Sequence, residues 1–94
     1  MEIAKAFIVY TDDSENKEIE PYNGEDFQLH ELQNIVGGNI EVCATKYEGV
    51  VMVVDESGKL KGKPINRVAT DYFKHGQFDE IVGDALICRT EQIK

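Results

Sequence analysis

Runs of alternating apolar and polar residues give way twice to a helical period along this chain, and the breaks between them carry most of the turn-forming residues. Ile3 to Tyr10 is dense in Ile, Phe and Val and predicts a strand, closed by the polar cluster Thr11 to Asn16. Lys17 to Tyr22 alternates in the manner of an edge strand, and Pro21 suits an edge because it has no amide to give to a ladder. These two segments predict a hairpin with a long acidic loop. From Phe27 to Val36 the period becomes helical, with Leu29, Leu32, Ile35 and Val36 recurring on one face. If Gln28 is the cap, Glu31 falls at the third helical position and its carboxylate can reach back to a free backbone donor. Phe27 and Leu32 then occupy the positions of a hydrophobic staple. Gly37 and Gly38 end the helix, one of them in the left-handed conformation that glycine adopts cheaply.

Asn39 to Lys46 and Val50 to Asp55 predict a second hairpin around Glu48-Gly49, followed by a turn at Glu56-Ser57-Gly58 and a basic loop from Lys59 to Lys63. Asn66 is placed to cap a second helix reaching Lys74 and His75, with Val68, Ala69, Tyr72 and Phe73 on one face and Gly76 as the stop. The segment Phe78 to Arg89 predicts the last strand, strongest over 81–89, where Gly83 marks a bulge or a close backbone approach. The order ββαββαβ predicts an α+β class: one small domain over residues 1–94, a mostly antiparallel sheet and two short helices on one face. The expected core is Leu32, Val36, Val42, Val51, Val53, Phe73, Val82 and Leu86.

Length and charge narrow the picture. Ninety-four residues allow one thin core, to which a homodimer would add buried surface. The longest apolar run, Val50 to Val54, is far short of the ~20 residues of a membrane span. The first ten residues lack the basic start and small-residue cleavage site of a signal peptide, so no membrane role is expected. Cys43 and Cys88 stand alone in apolar runs, which fits reduced, buried thiols in a cytoplasmic protein better than a disulfide framework. The net charge of −8 is uneven: residues 1–31 carry −7, whereas residues 59–74 carry +4. The overall sign argues against direct binding of nucleic acid.

Candidate chemistry is sparse. SGKLKGK places only three residues between Gly58 and Gly62 and runs into Pro64, so it is not a phosphate loop. His30, Cys43, His75 and Cys88 lack the paired spacing of a metal site, and Ser14 and Ser57 have no neighbouring base pattern. The residues therefore predict no catalytic set, no metal and no cofactor. What remains is a candidate binding set for an anion or a partner. Lys61 and Lys63 lie ahead of the second helix, Asn66 and Arg67 at its start, and Glu41 on the strand after the glycine pair. The bland reading of each is a solvated lysine, a helix cap or an outward-facing strand residue. All three basic residues are expected to be exposed, so that reversing them to Glu leaves the fold intact.

The strings LQNIVGGNIEV, ESGKLKGKPINRVAT and DEIVGDALI resemble a family of short uncharacterised proteins from bacteriophages, plasmids and gut-bacterial metagenomes, known as a domain of unknown function. The resemblance spans about residues 27 to 88; the acidic first hairpin and Gln28 depart from it. It implies a small cytosolic accessory protein of a mobile element and carries over no functional residue. The leading expectation is a non-enzymatic module that binds a protein partner or a small anionic ligand. The alternative is an acidic mimic of nucleic acid that inhibits a host DNA-binding protein.

Overall fold

The computed structural model describes residues 3–12 and 14–93. Glu2 and Asp13, both counted in the acidic first third, lie outside the described residues, as do Met1 and Lys94. The elements follow in the order β1 (Ala6–Val9), β2 (Lys17–Ile19), α1 (Leu29–Val36), β3 (Ile40–Ala44), β4 (Val50–Asp55), α2 (Arg67–Tyr72) and β5 (Ala85–Arg89), with a 3-10 turn at Thr90–Gln92. The strands form one five-stranded sheet in the order β2-β1-β5-β4-β3, antiparallel throughout. Both expected hairpins, β1–β2 and β3–β4, are present. The last strand slots between them, pairing Phe7 with Ile87 on one side and Met52 with Ile87 on the other.

The helices do not share a face. Side chains of a strand alternate between the two sides of a sheet. Ala6, Ile8, Val53, Leu86 and Cys88 pack with Phe27, Leu32 and Val36 of the α1 region. Their chain neighbours Val9, Met52, Val54, Ala85 and Ile87 pack instead with Ala69 of α2. The helices therefore close opposite sides, because the central strands β4 and β5 are apolar on both.

α1 has the predicted bounds, with Gln28 as its cap. The Glu31 carboxylate accepts the Gln28 amide at 2.7 Å and also the Tyr22 amide at 2.9 Å, tying the exit of the first hairpin to the start of the helix. Gly37 is the left-handed residue, at φ 81°, and its amide donates to the Gln33 carbonyl. Leu29, in the first turn, stays exposed while Leu32 and Val36 are buried.

The second helix is shorter than 66–75. Phe73 leaves the helical conformation to bridge Thr45 at the end of β3, and the Lys74 amide donates to the Ala44 carbonyl. Residues 74–78 are turns, which leaves Phe78 at the surface instead of in the last strand. That strand starts at Ala85 and not near 81. Val42 is exposed because β3 is an outer strand, while Val51, Phe73 and Val82 are half-buried. Val68 also faces outward, at the start of a helix too short to present a continuous stripe. No helix among the described residues is long and apolar enough to cross a membrane.

Candidate functional site

The basic loop after β4 is folded by its own backbone. The Lys61 amide donates to the Ser57 carbonyl and the Lys63 amide to the Gly58 carbonyl, with Gly62 at φ 71° completing the turn. Lys61 and Lys63, two residues apart, are thereby turned the same way. Both ammonium groups meet Asp55 Oδ2 at 2.7 Å. Lys63 Nζ also donates to the Val36 carbonyl at 2.7 Å, and Lys61 Nζ to the Gly37 carbonyl at 3.2 Å. The last carbonyls of a helix lack internal partners and form the negative end of its dipole. Two lysines from a distant loop satisfy them here.

Asp55 is the counter-charge. Its side chain has no exposed surface, and it accepts the Ser57 amide as well as both ammonium groups. Burial pushes its carboxyl up, but the hydrogen bonds from Lys61, Lys63 and Ser57 outweigh that and hold it well below the usual carboxylate range. Gly38 leaves room for the arrangement. A Cβ there would lie 2.5 Å from Lys61 Nζ and 2.9 Å from Asp55 Oδ1. Gly83 is likewise a close approach, since a Cβ would meet Lys63 Cδ at 2.9 Å.

The expectation that the three basic residues are exposed holds for Lys61 and Arg67 and is corrected for Lys63, which is half-buried; the Lys61 ammonium nevertheless ends on Asp55. Reversing Lys61 and Lys63 to Glu would set carboxylates against a buried carboxylate, a destabilising change.

Asn66 is wholly buried and caps α2: its Oδ1 accepts the Ala69 amide at 3.0 Å. Its Nδ2 donates to the carbonyls of Val9 and Gly83, both at 2.9 Å, so one amide group joins β1, α2 and the approach to β5. Arg67 is exposed and, among the described residues, makes no ion pair. The structure thus brings Lys61 and Lys63 together at the end of α1 but joins neither to Asn66 or Arg67 by a hydrogen bond among the described residues.

Glu41 belongs to a different place. It lines a cleft of about 160 Å³ on the α2 side of the sheet, whose inner wall includes Cys43, Val54, Phe73 and Ile81. The exposed carboxylates of Glu41, Glu56 and Glu80 border the same cleft, and Lys59 there pairs with Asp79. Leu60, also lining it, is 93% exposed, and Phe78, next to Asp79 in the chain, is 87% exposed. Burial, reinforced by Glu41 and Asp79, pushes the Cys43 thiol up to about 11; burial pushes Cys88 up to about 12. Both cysteines are free. Cys43 is only half-buried, a correction to its expected place in the core. A second cleft, about 310 Å³, lies between the first hairpin and α1, lined by Ile8, Tyr10, Ile19 and Ile35.

Two features here were not anticipated from sequence: the buried Asp55, and the exposure of Leu60, on the cleft, and of Phe78, next to Asp79 in the chain. Asp55 had a signal in the chain, because a carboxylate ends a strand of five apolar residues and lysines follow at alternate positions. Exposure of Leu60 and Phe78 had none, since neither breaks the local pattern.

Fold and surface together define a small antiparallel α+β domain with one helix on each side and an acidic, apolar-edged cleft on one of them. Residues 4–93 match the family model described as Domain of unknown function (DUF3846), and the chain belongs to that family. The match extends beyond the motif strings to include the acidic first hairpin. No curated protein and no solved structure matches the chain.

Proposed function

We propose that this domain is a non-enzymatic binding module whose partner is a basic protein. The observation that carries this reading is Leu60, almost wholly exposed on a cleft bordered by the carboxylates of Glu41, Glu56 and Glu80, with the exposed Phe78 next in the chain to Asp79 of the same lining. Large apolar side chains held in water are unfavourable unless something covers them, and burying each on a partner recovers roughly 1.5–3 kcal/mol. The acids around them, on a chain of net charge −8, favour an apolar anchor framed by lysine or arginine. A small anion at the basic loop has less support, because Lys61 and Lys63 are engaged by Asp55 and the end of α1. An accessory role in the cytoplasm for a mobile element, as the family resemblance implies, is compatible with such a module.

Affinity capture from a bacterial lysate, with native mass spectrometry of the eluate, tests this. The expected outcome is a basic protein held in stoichiometric amount by the parent and lost by the Leu60→Ser/Phe78→Ser double variant. The rival reading, a mimic of nucleic acid, is favoured by the exposed carboxylates of Asp12, Glu15, Glu18 and Glu20 on the first hairpin. It would keep its partner in that double variant and lose it when these four acids are neutralised. A small molecule co-purifying instead of a protein would overturn both.

A further inference from the structure

The two edges of the sheet are finished differently, and only one is protected. β2 has three residues, carries Lys17 and Glu18, and is followed at once by Glu20 and Pro21, features that discourage pairing. β3 has five residues, IEVCA, with a single charge, no proline and no lysine.

The register shows which backbone groups of β3 are open. Ile40 lies opposite Asp55, and the Glu56 amide donates to the Asn39 carbonyl at 2.8 Å. Antiparallel pairs alternate between bonded and non-bonded, so Glu41 and Cys43 exchange hydrogen bonds with Val54 and Met52. Ile40, Val42 and Ala44 then point their amides and carbonyls away from the sheet. Lys74 occupies the Ala44 carbonyl, whereas the outward groups of Ile40 and Val42 have no partner among the described residues. The Val42 side chain is 46% exposed on the α1 side, and the Glu41 carboxylate is exposed on the cleft side.

We infer that the open edge of β3 accepts an extended segment of the partner as a sixth strand, with its apolar side chains beside Val42 and its basic side chains beside Glu41. This rests on the basic-partner reading and assigns its mode of attachment: main-chain bonds supply affinity, and alternate side chains supply selectivity. A second copy of the chain fits less well, since pairing two β3 edges would crowd Glu41 against its counterpart on molecules that each carry −8.

The probe is a seven-residue peptide alternating valine and lysine, titrated into the 15N-labelled protein. The expected result is shifts centred on Ile40 and Val42, with both amides gaining protection from hydrogen exchange. A peptide N-methylated at alternate residues should bind about tenfold more weakly or worse, since its main-chain hydrogen bonds to the edge are lost. Val42→Pro should weaken binding similarly without disturbing the β3–β4 ladder, because that amide points outward. If Val42→Pro does not fold, Glu41→Lys carries the same test. Failure of the parent peptide to bind, or shifts elsewhere, overturns the inference. Equal binding of the N-methylated peptide overturns strand addition but leaves the basic-partner reading standing. Loss of Val42 amide exchange on raising protein concentration alone would make a second copy the occupant, and would also overturn it.

Discussion

The two sides of the sheet are lined by alternate residues of the same strands, yet they are closed in different ways. On one side α1 lays Leu32 and Val36 across β4 and β5, and its end is fastened by Lys61, Lys63 and Asp55. On the other side α2 contributes Ala69 as its only fully buried apolar side chain. The remainder is covered by half-buried aromatics, with Tyr72 in edge contact with both Phe7 and Tyr47. Each side also keeps a cleft, about 160 Å³ here and about 310 Å³ between the first hairpin and α1. The α1 side is fastened by charge and the α2 side by aromatic contacts, and the cleft that Leu60 and the carboxylates of Glu41, Glu56 and Glu80 border lies on the α2 side.

The largest expected effect tests whether α1 is the closing element. Leu32→Ala should cost about 3 kcal/mol by chemical denaturation, the range for a buried leucine in a packed core. A loss below about half a kcal/mol would place the helix outside the core.

Next comes the charged fastening. Asp55→Asn removes the counter-charge of two lysines and should cost about 3 kcal/mol, toward the low end for breaking a buried pair because both stems can swing to water. The pH dependence follows from sign. The folded carboxyl titrates lower than its unfolded value of about 3.9. Its contribution is therefore complete above that value and is lost as pH falls further. The parent should lose stability steeply below about pH 4, and Asp55→Asn should show a shallower loss. Parallel curves would mean that Asp55 does not hold the fastening together.

On the opposite side Asn66→Ala should cost about 2 kcal/mol, combining a lost cap with buried Val9 and Gly83 carbonyls left without their donor. Thermal unfolding measures it, and a neutral result would show that water replaces the amide.

The smallest effect is kinetic. With thiols raised to about 11 and about 12, both cysteines should react slowly with a disulfide reagent at pH 8, Cys43 before Cys88 and Cys88 only on unfolding. Equal rates would erase the difference between the sides. Cys43 and Cys88 project to opposite sides of the sheet from strands separated by β4, so no intramolecular disulfide can join them without unfolding.

Local signals were legible in the chain. Gln28, Glu31 and the glycine pair defined α1 to the residue, the hairpins followed from alternation and turn residues, and Asn66 identified itself as a cap. The placement of the helices was misread, although the run VVMVV between Val50 and Val54 held the clue. A strand that is apolar at every position has both sides covered, which two helices on one side cannot achieve. The engagement of Lys61 and Lys63 was out of reach for a different reason. It depends on the end of α1, more than twenty residues earlier in the chain, and no local pattern records that meeting.

The position of β5 has a consequence for synthesis. It is the last strand among the described residues and the central one in the sheet, pairing Ile87 with a residue 80 positions earlier. Each hairpin can form as it leaves the ribosome, but no strand pairing joins the two until β5 emerges. Nascent chains arrested before Ala85 clears the exit should remain sensitive to protease, and resistance should arrive in one step with β5. Gradual resistance would show that the hairpins are stable on their own.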